Sequence, residues 1–186
     1  QNGTLQSWRL QGLVSLASQR LEQAALKPQG WHWDGQLTAT QEQFALDGQL
    51  SSAAELVLRL QLQHSAKRGL RAQAQLPEVF LRAGNPLAAT LAGWPALLDL
   101  NNGRLSADAS LSQTPESSAP SVHLNFTGKG LAGIYDRTAF TGLDSHLQLD
   151  LSPRQLDIEL VKLSLEQANP GIPIGPLQLR GRYNAS

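Results

Sequence analysis

The chain has 186 residues, 41% of them hydrophobic, 16% charged and 5% aromatic, and it contains neither Cys nor Met. Lys and Arg together number 15, as do Asp and Glu, so the formal net charge is zero. That balance, with no basic stripe, argues against nucleic acid as the partner. The hydrophobic content excludes a disordered chain, and the lack of Cys excludes a disulfide framework or a thiolate metal site.

No apolar run approaches the roughly 20 residues that a membrane helix needs. A chain that begins at Gln1 and lacks Met reads as a piece of a longer protein, with any targeting segment elsewhere.

Taken in order, the first turn signals are Asp34-Gly35 and Asp47-Gly48, read as chain reversals with bulges as the alternative. The clearest strand follows. In residues 56–63, Leu56, Leu58, Leu60 and Leu62 point one way while Arg59, Gln61 and Gln63 point the other. Wound as a helix, the same leucines would leave no apolar stripe. Lys67 to Arg71 reads as a solvated turn, after which Leu70, Ala72, Ala74 and Leu76 alternate with Arg71, Gln73 and Gln75.

Residues 85–93 break the pattern. Asn85 is a capping residue, Pro86 suits the first helical position, Leu87 and Leu91 are four apart, and Gly93 ends the run. A short helix is expected near 86–92. Asn101-Asn102-Gly103 is a turn signal before the next strand, where Leu105, Ala107, Ala109 and Leu111 alternate with polar residues. Residues 113–121 (QTPESSAPS) form a polar, Pro- and Ser-rich loop.

Val122, Leu124 and Phe126 make the next apolar face. Leu147, Leu149 and Leu151 follow, then the turn Ser152-Pro153-Arg154-Gln155, then Leu156, Ile158 and Leu160. Asn169 to Pro176 carries three prolines and two glycines that interrupt pairing, and Leu177 and Leu179 close the series. The expectation is one all-β domain over residues 1–186, a meander of roughly ten or more antiparallel strands of about 5 to 10 residues each. With almost no helix to cover the apolar faces, the sheet must fold against itself as a sandwich, a barrel or an open trough. Alternation alone leaves these three open.

The sequence implies no catalytic residue, no metal and no cofactor. His32, His64, His123 and His146 are scattered and sit in no ligand motif, and His123 and His146 fall on the polar faces of their strands. Asp136-Arg137 and the Asp157/Glu159 pair read as solvent-side charges. Asn2-Gly3-Thr4, Asn125-Phe126-Thr127 and Asn184-Ala185-Ser186 fit the glycosylation sequon, a pattern short enough to arise by chance.

Three stretches carry a resemblance: residues 99–112 (DLNNGRLSADASLS), 130–144 (GLAGIYDRTAFTGLD) and 169–183 (NPGIPIGPLQLRGRY). They resemble the C-terminal part of the YdbH family, in the AsmA-like group with TamB and YhdP. The resemblance implies an open all-β trough, the β-taco, with an apolar interior that carries phospholipid between the membranes of Gram-negative bacteria and so serves outer-membrane biogenesis. It implies a periplasmic segment of a protein anchored in the inner membrane. It also implies a small outer-membrane lipoprotein partner, YnbE-like, that adds strands near the C-terminal end.

On that reading the lipid groove is lined by Leu56, Leu58, Leu60, Leu62, Leu105, Ala107, Leu111, Leu124, Phe126, Leu147, Leu149, Leu151, Leu156, Ile158, Leu160, Leu177 and Leu179. The partner meets Asn169, Pro170, Gly171, Ile172 and Ile174. The alternative is a structural or protein-interaction β module whose leucines are ordinary core and whose C-terminal end docks the lipoprotein.

Overall fold

The computed structural model describes residues 7–117 and 119–185. The first sequon lies outside these residues, as does the last residue of the third. The strands are β1 (Arg9–Gln23), β2 (Leu26–Thr40), β3 (Gln43–Ser52), β4 (Val57–Ser65), β5 (Gly69–Phe80), β6 (Leu98–Gln113), β7 (Ser121–Tyr135), β8 (Thr138–Ser152), β9 (Gln155–Leu165), β10 (Gln167–Asn169) and β11 (Leu177–Ala185). They form a single antiparallel sheet in chain order, except that β10 lies on β8 and β11 pairs with β9. β1 and β11 are not paired to each other, so the sheet is an open trough rather than a barrel. Leu, not Val or Ile, dominates these strands. Cross-strand packing of one apolar face outweighs intrinsic β preference here.

Several strands run to 15 or 16 residues, longer than the expected 5 to 10. The reason lies in glycines that sit inside strands rather than at their ends. Gly35 and Gly48 face each other in the middle of β2 and β3. A Cβ on either would come within 2.7 Å of the Trp33 ring, so the pair makes room for an indole lying across it. Neither Asp-Gly step is a reversal. Gly103 likewise lies within β6, at φ 97°, where the register with β7 shifts on either side of Asn102. Asn101-Asn102-Gly103 is therefore a bulge.

Turns at the expected places do occur. Ser152 pairs with Gln155 across Pro153-Arg154. An unexpected turn joins Tyr135 to Thr138 across Asp136-Arg137. Residues 66–68 turn β4 into β5, and 114–120 connect β6 to β7.

A seam of register shifts crosses β5 to β9, at residues 76–79, 100–104, 128–133 and 146–147 with their partners. Each bulge bends and twists its strand. Beyond the seam lies the buried core: Trp31, Leu56, Leu76, Leu81, Leu87, Leu100, Leu105, Leu131 and Phe140.

This core is covered by residues 81–97, a cap built from a 3₁₀ turn (Leu81–Ala83) and helix α1 (Pro86–Thr90). The Asn85 side chain accepts from the Ala88 N–H at 3.0 Å, and Pro86 takes the first helical position. Five residues make no stable helix alone, so packing of Leu87 and Thr90 holds it.

The cap is tied to β2 by a Leu26–Leu91 pairing, an Ala92 N–H donated to Ala25 O at 3.0 Å, and Lys27 Nζ donated to Ala88 O at 2.7 Å. Trp94 Nε1 donates to Leu98 O at 3.0 Å on the β6 side. β3 stops at Ser52, and the cap takes up the flank of β2 that β3 leaves vacant.

Candidate functional site

Cross-strand partners share a face, so register alone defines which side chains stand together. Three apolar rows cross the sheet at right angles to the strands. The middle row is Val14, Gly35, Gly48, Leu60, Ala74, Ala109, Leu124, Leu149, Ile158 and Tyr183, paired without a break from β1 to β11. The row further from the cap is equally continuous: Gly12, Leu37, Leu46, Leu62, Ala72, Leu111, Val122, Leu151, Leu156 and Ala185.

The row nearer the cap joins Leu16, Trp33, Leu50 and Leu58 on one side to Leu76, Ala107, Phe126, Leu147, Leu160 and Gly181 on the other. Leu58 and Leu76 stand one position beyond Arg59–Gln75. Nine strand spacings of about 4.8 Å make each row about 43 Å long.

The structure thus puts the expected groove residues on one face, but at two depths. Leu56 and Leu105 are only 3% and 1% exposed because the cap lies over them. Leu58, Leu60, Leu62, Ala107, Leu111, Leu124, Phe126, Leu147, Leu149, Leu156, Ile158 and Leu160 are half-buried, and Leu151, Leu177 and Leu179 are exposed. Leu177 and Leu179 stand opposite Leu165 and Leu163 on the edge strand.

Trp31 and Trp33 were not among the expected lining residues, yet both are buried on this face. Their alternation with His32 and Asp34 was the available signal.

The opposite face is mostly polar, with Leu13, Val57 and Phe80 as exceptions. His123 and His146 lie there, with His123 Nδ1 2.6 Å from Asp150 Oδ1 and Asn125 bridging His123 to Asp108. His32 makes a similar contact with Asp34 at 2.6 Å, whereas His64 stands opposite Phe44 and Leu70 on the apolar side. Arg182 holds Asp157 through two donors, Nε at 3.1 Å and Nη2 at 2.5 Å, which lowers the carboxyl's pKa.

A hollow of about 750 Å³ is lined by Asp34, Asp47, Gln49, Arg59, Gln61 and Asp108 of this polar face, and it also touches Gly48, Ala74 and Ala109 of the middle row. Among the described residues, no group of three or more His, Asp or Glu could hold a metal ion. Nor is any helix there long and apolar enough to cross a membrane.

The C-terminal segment is a return loop. Ala168 and Ile174 exchange backbone hydrogen bonds of 2.8 and 2.7 Å, folding 169–173 into a tip before β11 runs back along β9. Asn169 Oδ1 accepts the Gly171 N–H at 3.0 Å, and Ile172 is 76% exposed at the tip.

A family model described as YdbH-like, intermembrane phospholipid transport protein YdbH, matches residues 3–186. The chain belongs to the YdbH-like family. No curated protein and no solved structure matches. Membership in the YdbH-like family gives lipid transport between membranes as the general function.

Proposed function

We propose that the apolar face is the lipid path of a bridge-like conduit, with acyl chains lying along the rows and phospholipid headgroups at the open mouth of the trough. The observation that carries this reading is continuity: two apolar rows run unbroken over ten strands, edge to edge, with no polar residue before the Tyr183 hydroxyl at the last strand. Burial of apolar surface is worth about 25 cal/mol per Å² and is non-directional, so it holds an acyl chain without fixing it at one point. The groove residues are those set out above, with Leu56 and Leu105 as support beneath the cap. No chemistry is required of the chain. In this reading the segment is periplasmic, in a protein anchored in the inner membrane.

A second reading, a docking module, is favoured by the unpaired edge of β11. A small outer-membrane lipoprotein adding a strand there would meet Ile172 and Ile174, with Asn169, Pro170 and Gly171 shaping the loop. The two readings are compatible, since an added strand would extend the rows.

Photo-crosslinking in cells tests the conduit. A photoreactive residue replaces Leu58, Leu149 or Ile158 on the apolar face, and Gln61, Gln148 or Asp157 on the polar face. Phospholipid captured only at the first three supports the conduit. No capture at any of them, in a protein that still folds and functions, rejects it in favour of docking alone.

A further inference from the structure

On the polar face, beside the cap, the alternation rule is broken by Phe80, which is 61% exposed opposite Arg104. Around it lies a basin of about 690 Å³ whose walls include Arg82, Arg104, Lys129, Lys162 and His146. Two carboxylates meet these four permanent cations. Glu78 lies 3.4 Å from Arg104, and Asp144 lies 3.0 Å from Lys162. Asp144 also accepts the Gly130 N–H at 2.8 Å, so the strongest donors already hold one anion. Its carboxyl pKa is lowered accordingly, first by Gly130 and then by Lys162, with Lys129 adding to the field. Among the described residues Arg82 and Lys129 make no ion pair, and they leave the basin with surplus positive charge.

That surplus is local. The next two rows of the polar face, running away from the cap, carry Asp34, Asp47, Asp108, Asp150, Asp157 and Glu159 against only Arg59 and Arg182. The chain's zero net charge therefore conceals a face that is acidic in its middle and basic beside the cap.

We propose that this basin binds a phosphate-bearing anion, with Arg82 and Lys129 as its principal contacts and Phe80 flanking it. Unpaired guanidinium and ammonium groups are the donors phosphate oxygens take. The basin has room for a headgroup or a small organic phosphate. This site lies on the face opposite the apolar rows and does not depend on the conduit reading.

Two sources of phosphate are separated by two probes. Glycerol 3-phosphate is titrated while the amide signals of Gly103, Lys129, Gly130 and Ser145 are followed by NMR. Vesicles of phosphatidylcholine, with and without phosphatidylglycerol, are tested by co-sedimentation. Both are repeated on the double variant Arg82→Gln/Lys129→Gln, whose substitutions are at exposed positions. Removing two cations from an anionic surface should weaken vesicle binding by about 30-fold. Saturable shifts with glycerol 3-phosphate that vanish in the variant identify a site for soluble phosphates. Capture by phosphatidylglycerol vesicles alone, lost in the variant, identifies a headgroup site. Binding of neither probe, or binding that the double variant leaves unchanged, overturns the proposal.

Discussion

The Trp33 indole rests on two facing glycines, and this single contact explains why β2 and β3 run straight through their Asp-Gly steps. A Cβ at Gly48 would lie 2.6 Å from Gly35 Cα and 2.7 Å from the ring, against backbone and a buried aromatic rather than a yielding side-chain tip. Gly48→Ala should therefore cost about 2 kcal/mol, read as a lower urea midpoint with a shifted tryptophan emission. Asp144 makes a different prediction. Its carboxyl pKa is held below the usual range in the folded chain, so its stabilising contribution is present at neutral pH and is lost as pH falls through about 4 and below. The side chain is 41% exposed, so solvent screening limits that contribution to about 1 kcal/mol or less. Asp144→Asn should lower the urea midpoint at pH 7, and the difference from the parent chain should shrink by pH 3.

At the scale of elements, the cap is the part most open to mutational attack. Leu81 opens the cap and is only 1% exposed, and Leu81→Ala should cost about 3 kcal/mol, measured by chemical denaturation. Asn85→Ala should cost about 1 kcal/mol through the lost cap to Ala88. The helix was legible in the sequence because Asn85-Pro86 and the Leu87/Leu91 spacing are local chemistry. Strand faces were legible for the same reason, since period two needs no knowledge of neighbours. Strand length was not. Asn-Gly and Asp-Gly steps permit a turn, a bulge or plain strand, and the choice was made by distant residues. Trp33 decided it for Gly35 and Gly48, and the approach of Gly130 and Leu131 decided it for Gly103. Depth was equally hidden. Leu105 reads like Leu149 in sequence, yet a cap that begins at Leu81 buries one and leaves the other accessible.

For the whole molecule, the decisive property is that the apolar rows cross every hairpin. A charge placed in the middle row should interrupt lipid passage without touching the polar face. Leu149→Asp is expected to abolish phospholipid capture by a photoreactive residue at Ile158, the next position in that row, while Gln148→Asp leaves it intact. Capture that survives Leu149→Asp would mean that lipid does not follow this row.

The same crossing separates two dimensions that most sheets confound. Each row takes one residue from each strand, so reach is counted in strands, at about 4.8 Å apiece, while girth is counted in residues along a strand. Duplicating a hairpin would lengthen the span by about 10 Å and leave its cross-section unchanged. Inserting a single residue within a strand would instead turn that strand's greasy side outward from the insertion to the next bulge. A scaffold of this kind can be fitted to a wider gap by copying what it already has, one hairpin at a time.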